Sequence, residues 1–171
     1  MRAAFRRVAE SGFEGLRLRQ VAEDVGIDHS TLHHYFVTKQ DLIEAVTAYA
    51  TSEFRTTAMP VGADPTTQLH HHLAALTRVL CERPELLTVS AELDLRARRD
   101  PAVRAVLDQH EAGWREALVA LFDTGSWSDA LRPEAAAETV IAAVKGVRLV
   151  PELAGEVFAQ LEALLHPSPQ S

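Results

Sequence analysis

The chain has 171 residues, of which 47% are apolar, a formal net charge of −7 and a single cysteine. This composition is that of an ordinary globular protein with one or two small domains, and it excludes a disordered chain and an internal disulfide framework. Because no apolar run approaches the ~18 residues of a membrane span and the first residues do not form a signal peptide, we expect a cytoplasmic protein with no membrane partner.

The acidic charge is unevenly distributed along the chain. Residues 1 to 57 contain seven Lys/Arg and eight Asp/Glu, whereas residues 58 to 171 contain ten and sixteen. Contact with phosphate depends on a local cluster of cations and not on the charge of the whole chain. The negative total therefore does not exclude nucleic-acid binding by the first part.

The first 57 residues are predicted to form four helices. Phe5 and Val8 recur at helical spacing and predict a first helix that ends near Ser11, since Gly12 suits the left-handed conformation of a helix stop. A second helix of about two turns is predicted to end at Gly26, because four apolar residues before it follow the i, i+3, i+4, i+7 pattern: Leu18, Val21, Ala22 and Val25.

Capping residues predict where the next two helices begin. Asp28 suits an N-cap, so a third helix should start at about His29. Thr38 and Asp41 have capping-box spacing, and the apolar pattern that follows them predicts a long fourth helix reaching Phe54. Two short helices joined by a glycine-containing turn form a helix-turn-helix, whose second helix enters the DNA major groove.

The stretch "GIDHSTLHHYF", residues 26 to 36, should therefore contain the recognition helix. Leu32 and Phe36 are four residues apart and would anchor this helix to the core. Lys and Glu are better helix formers for a merely solvated face, whereas short donor-acceptor side chains suit base edges and phosphates. The side chains left facing outward are of the second kind: His29, Ser30, His33 and His34.

The segment "FRRVAESGFEGLRLRQVAEDVGIDHSTLHHYFVTKQDLIEAV", residues 5 to 46, resembles the DNA-binding domain of the tetracycline-repressor (TetR) family. The matching motifs are "GF" after the first helix, an "R-x-V-A-x-x-x-G" second helix, "T-L-x-x-Y-F" in the third, and "K-x-x-L". The resemblance implies an all-α fold, with an N-terminal three-helix helix-turn-helix domain joined by a long helix to a helical-bundle effector and dimerisation domain. We expect the domains to cover residues 1 to 57 and 58 to 171.

The resemblance also implies which residues contact DNA. Arg17 and Arg19 would lie near a phosphate strand. Positions facing bases or the groove would be His29, Ser30, Thr31 and His33, and positions near the DNA backbone would be His34, Tyr35 and Lys39. Two departures from the family pattern stand out: His33 replaces the usual tyrosine, and Met1 lies inside the first helix, so we expect either an upstream start or no minor-groove arm.

The remainder of the chain also has helical periodicity. "PVGADPTT", residues 60 to 67, concentrates turn formers and marks a boundary. Apolar stripes then predict helices around residues 69 to 80, 102 to 123, 133 to 148 and 153 to 164, before a frayed "HPSPQS" tail.

The family resemblance implies a homodimer held by a four-helix bundle, with the helices at 102 to 123 and 133 to 148 as the expected pair. One helix-turn-helix reads only a half-site, so a palindromic operator on double-stranded DNA also requires a twofold dimer. The expected dimer residues are Leu118, Leu121, Val140, Ile141 and Val144.

An effector pocket would combine an apolar wall with a few polar groups, and the effector is expected to be a largely apolar small molecule. The candidate lining residues are Phe54, Met59, His72, Leu76, His110 and Trp114. Three consecutive histidines, residues 70 to 72, point about 100° apart on a helix and cannot converge on one ion. No metal site, cofactor or catalytic residue is expected.

Three function classes follow from these observations. The first is a ligand-responsive regulator, most simply a repressor that a small molecule releases from a palindromic operator. The second is a protein-interaction module on the same fold that has lost DNA binding. A small helical hydrolase is the third, but no nucleophile motif or phosphate loop supports an enzyme. Salt-dependent DNA affinity separates the first class from the second.

Overall fold

The computed structural model describes residues 1–128 and 130–166, and within them every regular element is a helix. The predicted all-α fold is confirmed. None of the described helices is both long enough and apolar enough to cross a membrane. The α-helices are α1 (Arg2–Gly15), α2 (Leu18–Asp24), α3 (His29–Tyr35), α4 (Lys39–Glu53), α5 (Pro65–Glu82), α6 (Pro84–Ala97), α7 (Pro101–Thr124), α8 (Pro133–Val147) and α9 (Ala154–Leu165), with 3₁₀ turns at Phe54–Thr57 and Pro151–Leu153.

The predicted helix starts are confirmed at the level of individual caps. Asp28 accepts the backbone N–H of Ser30 at 2.7 Å and so begins α3. Thr38 and Asp41 form a reciprocal pair: the Asp41 carboxylate accepts the Thr38 N–H at 2.9 Å, and the Thr38 hydroxyl accepts the Asp41 N–H at 3.1 Å. Each cap satisfies backbone donors that have no partner within the helix.

Gly12 interrupts α1 as predicted, because its backbone is not helical, with φ 64° and ψ 179°. Its φ of 64° lies in the region that favours glycine, and one further turn follows, through Gly15. A Cβ on Gly12 would also lie 3.2 Å from a carboxylate oxygen of Glu92 in α6. The glycine therefore serves both the backbone conformation and the close approach of a second helix.

The described chain divides into two compact units that are not continuous in sequence. The first consists of Met1–Glu53 and Pro84–Gln109, and the second of Phe54–Arg83 and the chain from His110 onward. The division into functional domains at residue 57 stays a prediction.

In the first unit, α1 packs against α2, α4 and α6, and α2 packs against α3. The apolar residues predicted for α1, α2 and α4 form its core, including Val8, Val21 and Leu42. The α6 helix was not assigned by the sequence patterns, yet Leu86, Val89 and Leu93 are buried.

In the second unit, α5 packs against α9 and against the 3₁₀ turn after α4, and α8 packs against α9. The leucine stripe predicted for α5 is fully buried: Leu69, Leu73, Leu76 and Leu80. Of the predicted frayed tail, residues 167 to 171 lie outside the described part of the chain.

Candidate nucleic-acid interface

The surface of α3 is the candidate interface. Leu32 is buried and anchors the helix, while Phe36, the second predicted anchor, is half-buried just beyond the helix end. Every other side chain of α3 is exposed: His29, Ser30, Thr31, His33, His34 and Tyr35. The structure therefore places all of the predicted α3 contacts where DNA could reach them.

The start of α3 is held by the cap and not by packing. One oxygen of Asp28 accepts both the N–H and the hydroxyl of Ser30, each at 2.7 Å. These hydrogen bonds, the hydroxyl one foremost, lower the pKa of the Asp28 carboxyl, so the cap is charged at neutral pH. A consequence is that the Ser30 hydroxyl is already engaged as a donor.

The positive charge of Arg17 acts on Lys39, although the two residues are 22 positions apart in sequence. Arg17 precedes α2 and donates to the carbonyl oxygens of Glu14 and Leu16. Lys39 begins α4, and its pKa is lowered by partial burial and then by the positive charge of Arg17, with Glu14 acting in the opposite direction. Two neighbouring cations that repel each other are stabilised by an anion between them, such as a DNA phosphate.

Two other arginines of this region are engaged with carboxylates. Arg19 pairs with Glu23 at 3.1 Å in an exposed i, i+4 contact, which water and salt weaken. Arg7 binds Asp24 through two hydrogen bonds of 2.6 and 2.7 Å, and this pairing raises the pKa of Arg7. Arg7 therefore fastens α1 to α2, whereas Arg19 can exchange its partner for a phosphate.

Arg96 in α6 influences Lys39 electrostatically and was not found from the sequence. Its charge helps to lower the pKa of Lys39, its guanidinium lies 5.3 Å from the centroid of the Phe13 ring, and it pairs with Asp100 at 3.0 Å. No local pattern could have indicated it, because its neighbours in space come from α1, α4 and the start of α7.

The residues predicted for an effector pocket form two aromatic contacts in the second unit. The rings of Phe54 and His110 are 6.5 Å apart, and those of His72 and Trp114 are 5.8 Å apart. Met59 is half-buried like Phe54, His110 and Trp114, whereas Leu76 is fully buried. The guanidinium of Arg148, which the sequence did not indicate, lies 5.0 Å from the centre of the Phe54 ring.

His72 is a hydrogen-bonded core residue. Its side chain is 3% exposed; Nδ1 donates to the carbonyl of Thr57, and Nε2 accepts the indole N–H of Trp114 at 3.0 Å. Since a carbonyl can only accept and an indole can only donate, these two partners fix the neutral Nδ1–H tautomer. Burial lowers the pKa of His72, in agreement with the neutral form. Neither ring nitrogen is left for a ligand.

The five residues predicted for the dimer interface all lie in the interior of one chain. Their side chains are at most 5% exposed: Leu118, Leu121, Val140, Ile141 and Val144. A second copy cannot reach them without unpacking the core, so the periodicity that predicted them identified the inner faces of α7 and α8. Leucines on the outer side of this unit are exposed instead, foremost Leu149 at 76% and Leu164 at 68%.

Within the described residues, no group of three or more His, Cys, Asp or Glu side chains is arranged to hold a metal ion.

Comparison with known proteins gives a family match for the first 46 residues and fold matches that cover almost the whole chain. Residues 1–46 match the model of bacterial regulatory proteins of the tetR family. No curated protein matches the chain. A TetR transcription regulator from Haloarcula marismortui is 22% identical with a TM-score of 0.86, covering 96% of this chain and 94% of its own.

Two further solved structures are similar. A TetR-family transcriptional regulator from a Rhodococcus species is 26% identical with a TM-score of 0.74, covering 95% of this chain and 92% of its own. AibR, whose structure contains isovaleryl coenzyme A and operator DNA, is 17% identical with a TM-score of 0.74, covering 95% of this chain and 94% of its own. Residues 1–46 are thus similar to the N-terminal domain of tetR-family regulatory proteins, and the whole chain shares the all-α fold of solved TetR-family transcriptional regulators.

Proposed function

We propose that the chain is a ligand-responsive repressor, which binds a palindromic operator as a homodimer and is released by a small-molecule effector. The observation that carries this proposal is the exposed face of α3, where every side chain except Leu32 is accessible. A face of imidazoles and hydroxyls offers donors and acceptors to base edges, and it would be an unusual choice for a face that only meets solvent.

The contacts divide into those that read bases and those that hold phosphates. His29, Thr31 and His33 are proposed to face the bases, with Ser30 presenting its acceptor lone pairs since its proton goes to Asp28. Arg17 and Lys39 are proposed to contact phosphates, because the positive charge of Arg17 acts on Lys39 and, after burial, contributes to its lowered pKa. His34, Tyr35 and Arg19 would complete the contacts with the DNA backbone.

The dimer surface is proposed on the outer side of α8 and α9. Leu149 and Leu153 are exposed just after α8, and Leu164 is exposed near the end of α9. The exposed Ala142 and Gly146 of α8 are small residues, which let helices approach closely. Burying exposed leucines of this kind would favour association with a partner. A second copy is the proposed occupant because reading a palindrome requires twofold symmetry.

Leu164→Glu tests this surface, since it would place a carboxylate in the proposed interface without touching the core. We expect the variant to run as a monomer in sedimentation or light scattering while its circular dichroism is unchanged. Leu95→Glu is the matched control, because Leu95 is also exposed but lies on α6, in the first unit. If both variants remain dimers, the second copy does not sit on this surface.

The effector is proposed to contact the aromatic side chains of Phe54, His110 and Trp114, which are only half-buried. Such a site suits a largely apolar molecule, with Arg148 beside Phe54 as one polar boundary. AibR was solved with both an acyl-coenzyme A and operator DNA, so this fold accommodates an effector and DNA in one protein. An effector would lower DNA affinity by its preference for one conformation, commonly by ~1–3 kcal/mol of coupling.

Selection from a random double-stranded DNA pool at moderate salt tests the proposal as a whole. An enriched palindrome is the expected result, and it would supply the operator for effector screening. If the protein is folded and dimeric but enriches no DNA sequence, the proposed repressor function is excluded. The chain is then better described as a protein-interaction module. His33→Ala should change the preferred sequence; an unchanged preference would remove His33 from the base-reading set.

A further inference from the structure

His29 and His33 lie one helical turn apart on the exposed face of α3. Their ring centroids are 6.0 Å apart and the ring planes differ by only 15°, so the two imidazoles are stacked side by side. Both side chains are exposed to solvent. Imidazoles four residues apart on a helix are the arrangement with which two histidines of metalloprotease helices bind zinc.

We propose that His29 and His33 form a two-imidazole site for a divalent transition-metal ion of the zinc, nickel or copper class. Neutral imidazole nitrogen is a preferred ligand for these borderline ions, whereas magnesium and calcium require oxygen ligands. Water completes the coordination, because the described chain offers no third His, Cys, Asp or Glu in position.

The geometry of the pair is close to what such an ion requires. Two nitrogens that each lie ~2.1 Å from one ion in tetrahedral geometry are ~3.4 Å apart. Rotation of the side chains brings rings at 6.0 Å to that distance, and their exposure means that no packed neighbour opposes the rotation. The Asp28 cap holds the first turn of the helix and therefore the spacing of the pair.

The other histidines do not offer the same arrangement. His34 follows His33 directly and points about 100° away from it around the helix. The same reasoning separates His70, His71 and His72, of which His70 already binds Glu162 at 3.2 Å and His72 is buried with both nitrogens engaged. The His29–His33 pair is thus distinguished by spacing, orientation and access together.

Metal binding would compete with operator binding, a consequence that rests on the proposed function. The imidazole nitrogens that would bond to the ion are those that His29 and His33 present to base edges. An ion with its ordered water on the reading face of α3 also occupies the space that a base pair needs. We therefore expect zinc to weaken binding to the operator and a chelator to restore it.

Calorimetric titration of the tag-free full chain with zinc chloride and with nickel chloride, at pH 7.5 and without DNA, tests the site itself. One ion per chain is expected. His29→Ala and His33→Ala should each weaken that binding at least ~10-fold, which corresponds to ~1.4 kcal/mol. His34→Ala on the same helix and His70→Ala in the other histidine-rich segment should bind as the unchanged chain does, with circular dichroism showing that every variant is folded.

The site is overturned if His29→Ala and His33→Ala bind the ions as the unchanged chain does, or if His34→Ala or His70→Ala loses the binding equally. A second measurement compares operator affinity with saturating zinc and with chelator. A ratio below ~3 would overturn the competition, since that is under 1 kcal/mol. If no operator is found, the repressor proposal fails, but the DNA-free titration still decides the metal site.

Discussion

The hydrogen-bonded chain from Thr57 through His72 to Trp114 allows a stability prediction worked from the structure. Trp114→Phe keeps an aromatic ring in place but removes the indole N–H, so the buried Nε2 of His72 loses its donor. Leaving a buried acceptor without a partner costs about 1–3 kcal/mol. For a chain of this length, each kcal/mol lowers the melting temperature by roughly 2–4 °C.

The assay is denaturant unfolding followed by circular dichroism at one fixed protein concentration, because dimerisation would otherwise shift the midpoint. His72→Leu removes the other member of the pair and leaves the Trp114 N–H and the Thr57 carbonyl unpaired. His71→Ala is the matched control: His71 directly precedes His72 in the same helix, but its side chain is exposed. We expect that control to stay within ~0.5 kcal/mol of the unchanged chain.

The double variant isolates the bond from the two side chains. If the indole and imidazole interact as the structure shows, Trp114→Phe should cost less in the His72→Leu background than alone, with a coupling of about 0.5–3 kcal/mol. Additive losses would refute the reasoning, since they would mean that the two side chains stabilise the protein independently.

The two half-buried or buried histidines of the second unit, His72 and His110, make the stability of the protein depend on pH in a definite direction. Burial lowers the pKa of His72, and burial followed by the charge of Arg148 lowers the pKa of His110, so in both cases the unfolded chain accepts a proton first. Their contribution to stability is complete above the unfolded value of ~6.5 and is lost as the pH falls below it, by at most about 1.4 kcal/mol per pH unit for each group. Unfolding at pH 7.5, 6.5 and 5.5 should show this loss, and His72→Leu should reduce it; an equal loss in that variant would contradict the assignment.

Three further predictions concern the first unit. Lys39→Ala should weaken binding to all DNA sequences. The plot of log affinity against log salt concentration should become less steep by about 0.9, which corresponds to the loss of one phosphate contact. Arg78→Ala, which replaces an exposed arginine of α5, should not change the slope. Gly12→Ala should destabilise the fold by about 1–3 kcal/mol, because the φ of 64° disfavours a Cβ, whereas Gly113→Ala, in an open helical position, should be neutral or stabilising in the same unfolding assay. Asp28→Ala should lower the free energy of unfolding by about 0.5–2 kcal/mol and reduce DNA affinity. Asp28→Asn keeps the capping oxygen and should retain most of the stability. If the two variants lose the same stability, the cap does not order α3.

Sequence patterns alone predicted the helical fold of this protein and the exposed face of α3. Helix starts follow from bonds between residues two or three apart, as at Asp28 and Thr38, and such local bonds need no tertiary context. The outward face of α3 follows from the helical period once Leu32 is placed in the core. The predicted DNA contacts on α3 were accordingly all found exposed.

Tertiary structure decided what the apolar stripes of the second unit do. Periodicity shows that Leu118, Val140 and Val144 share the inner faces of their helices, but it cannot show whether such a face meets the same chain or a second copy, because burial is equally favourable in both cases. The two ring nitrogens of His72 were likewise committed by groups 15 and 42 residues away, Thr57 and Trp114. The role of a buried polar side chain depends on such distant partners, and only the folded chain brings them together.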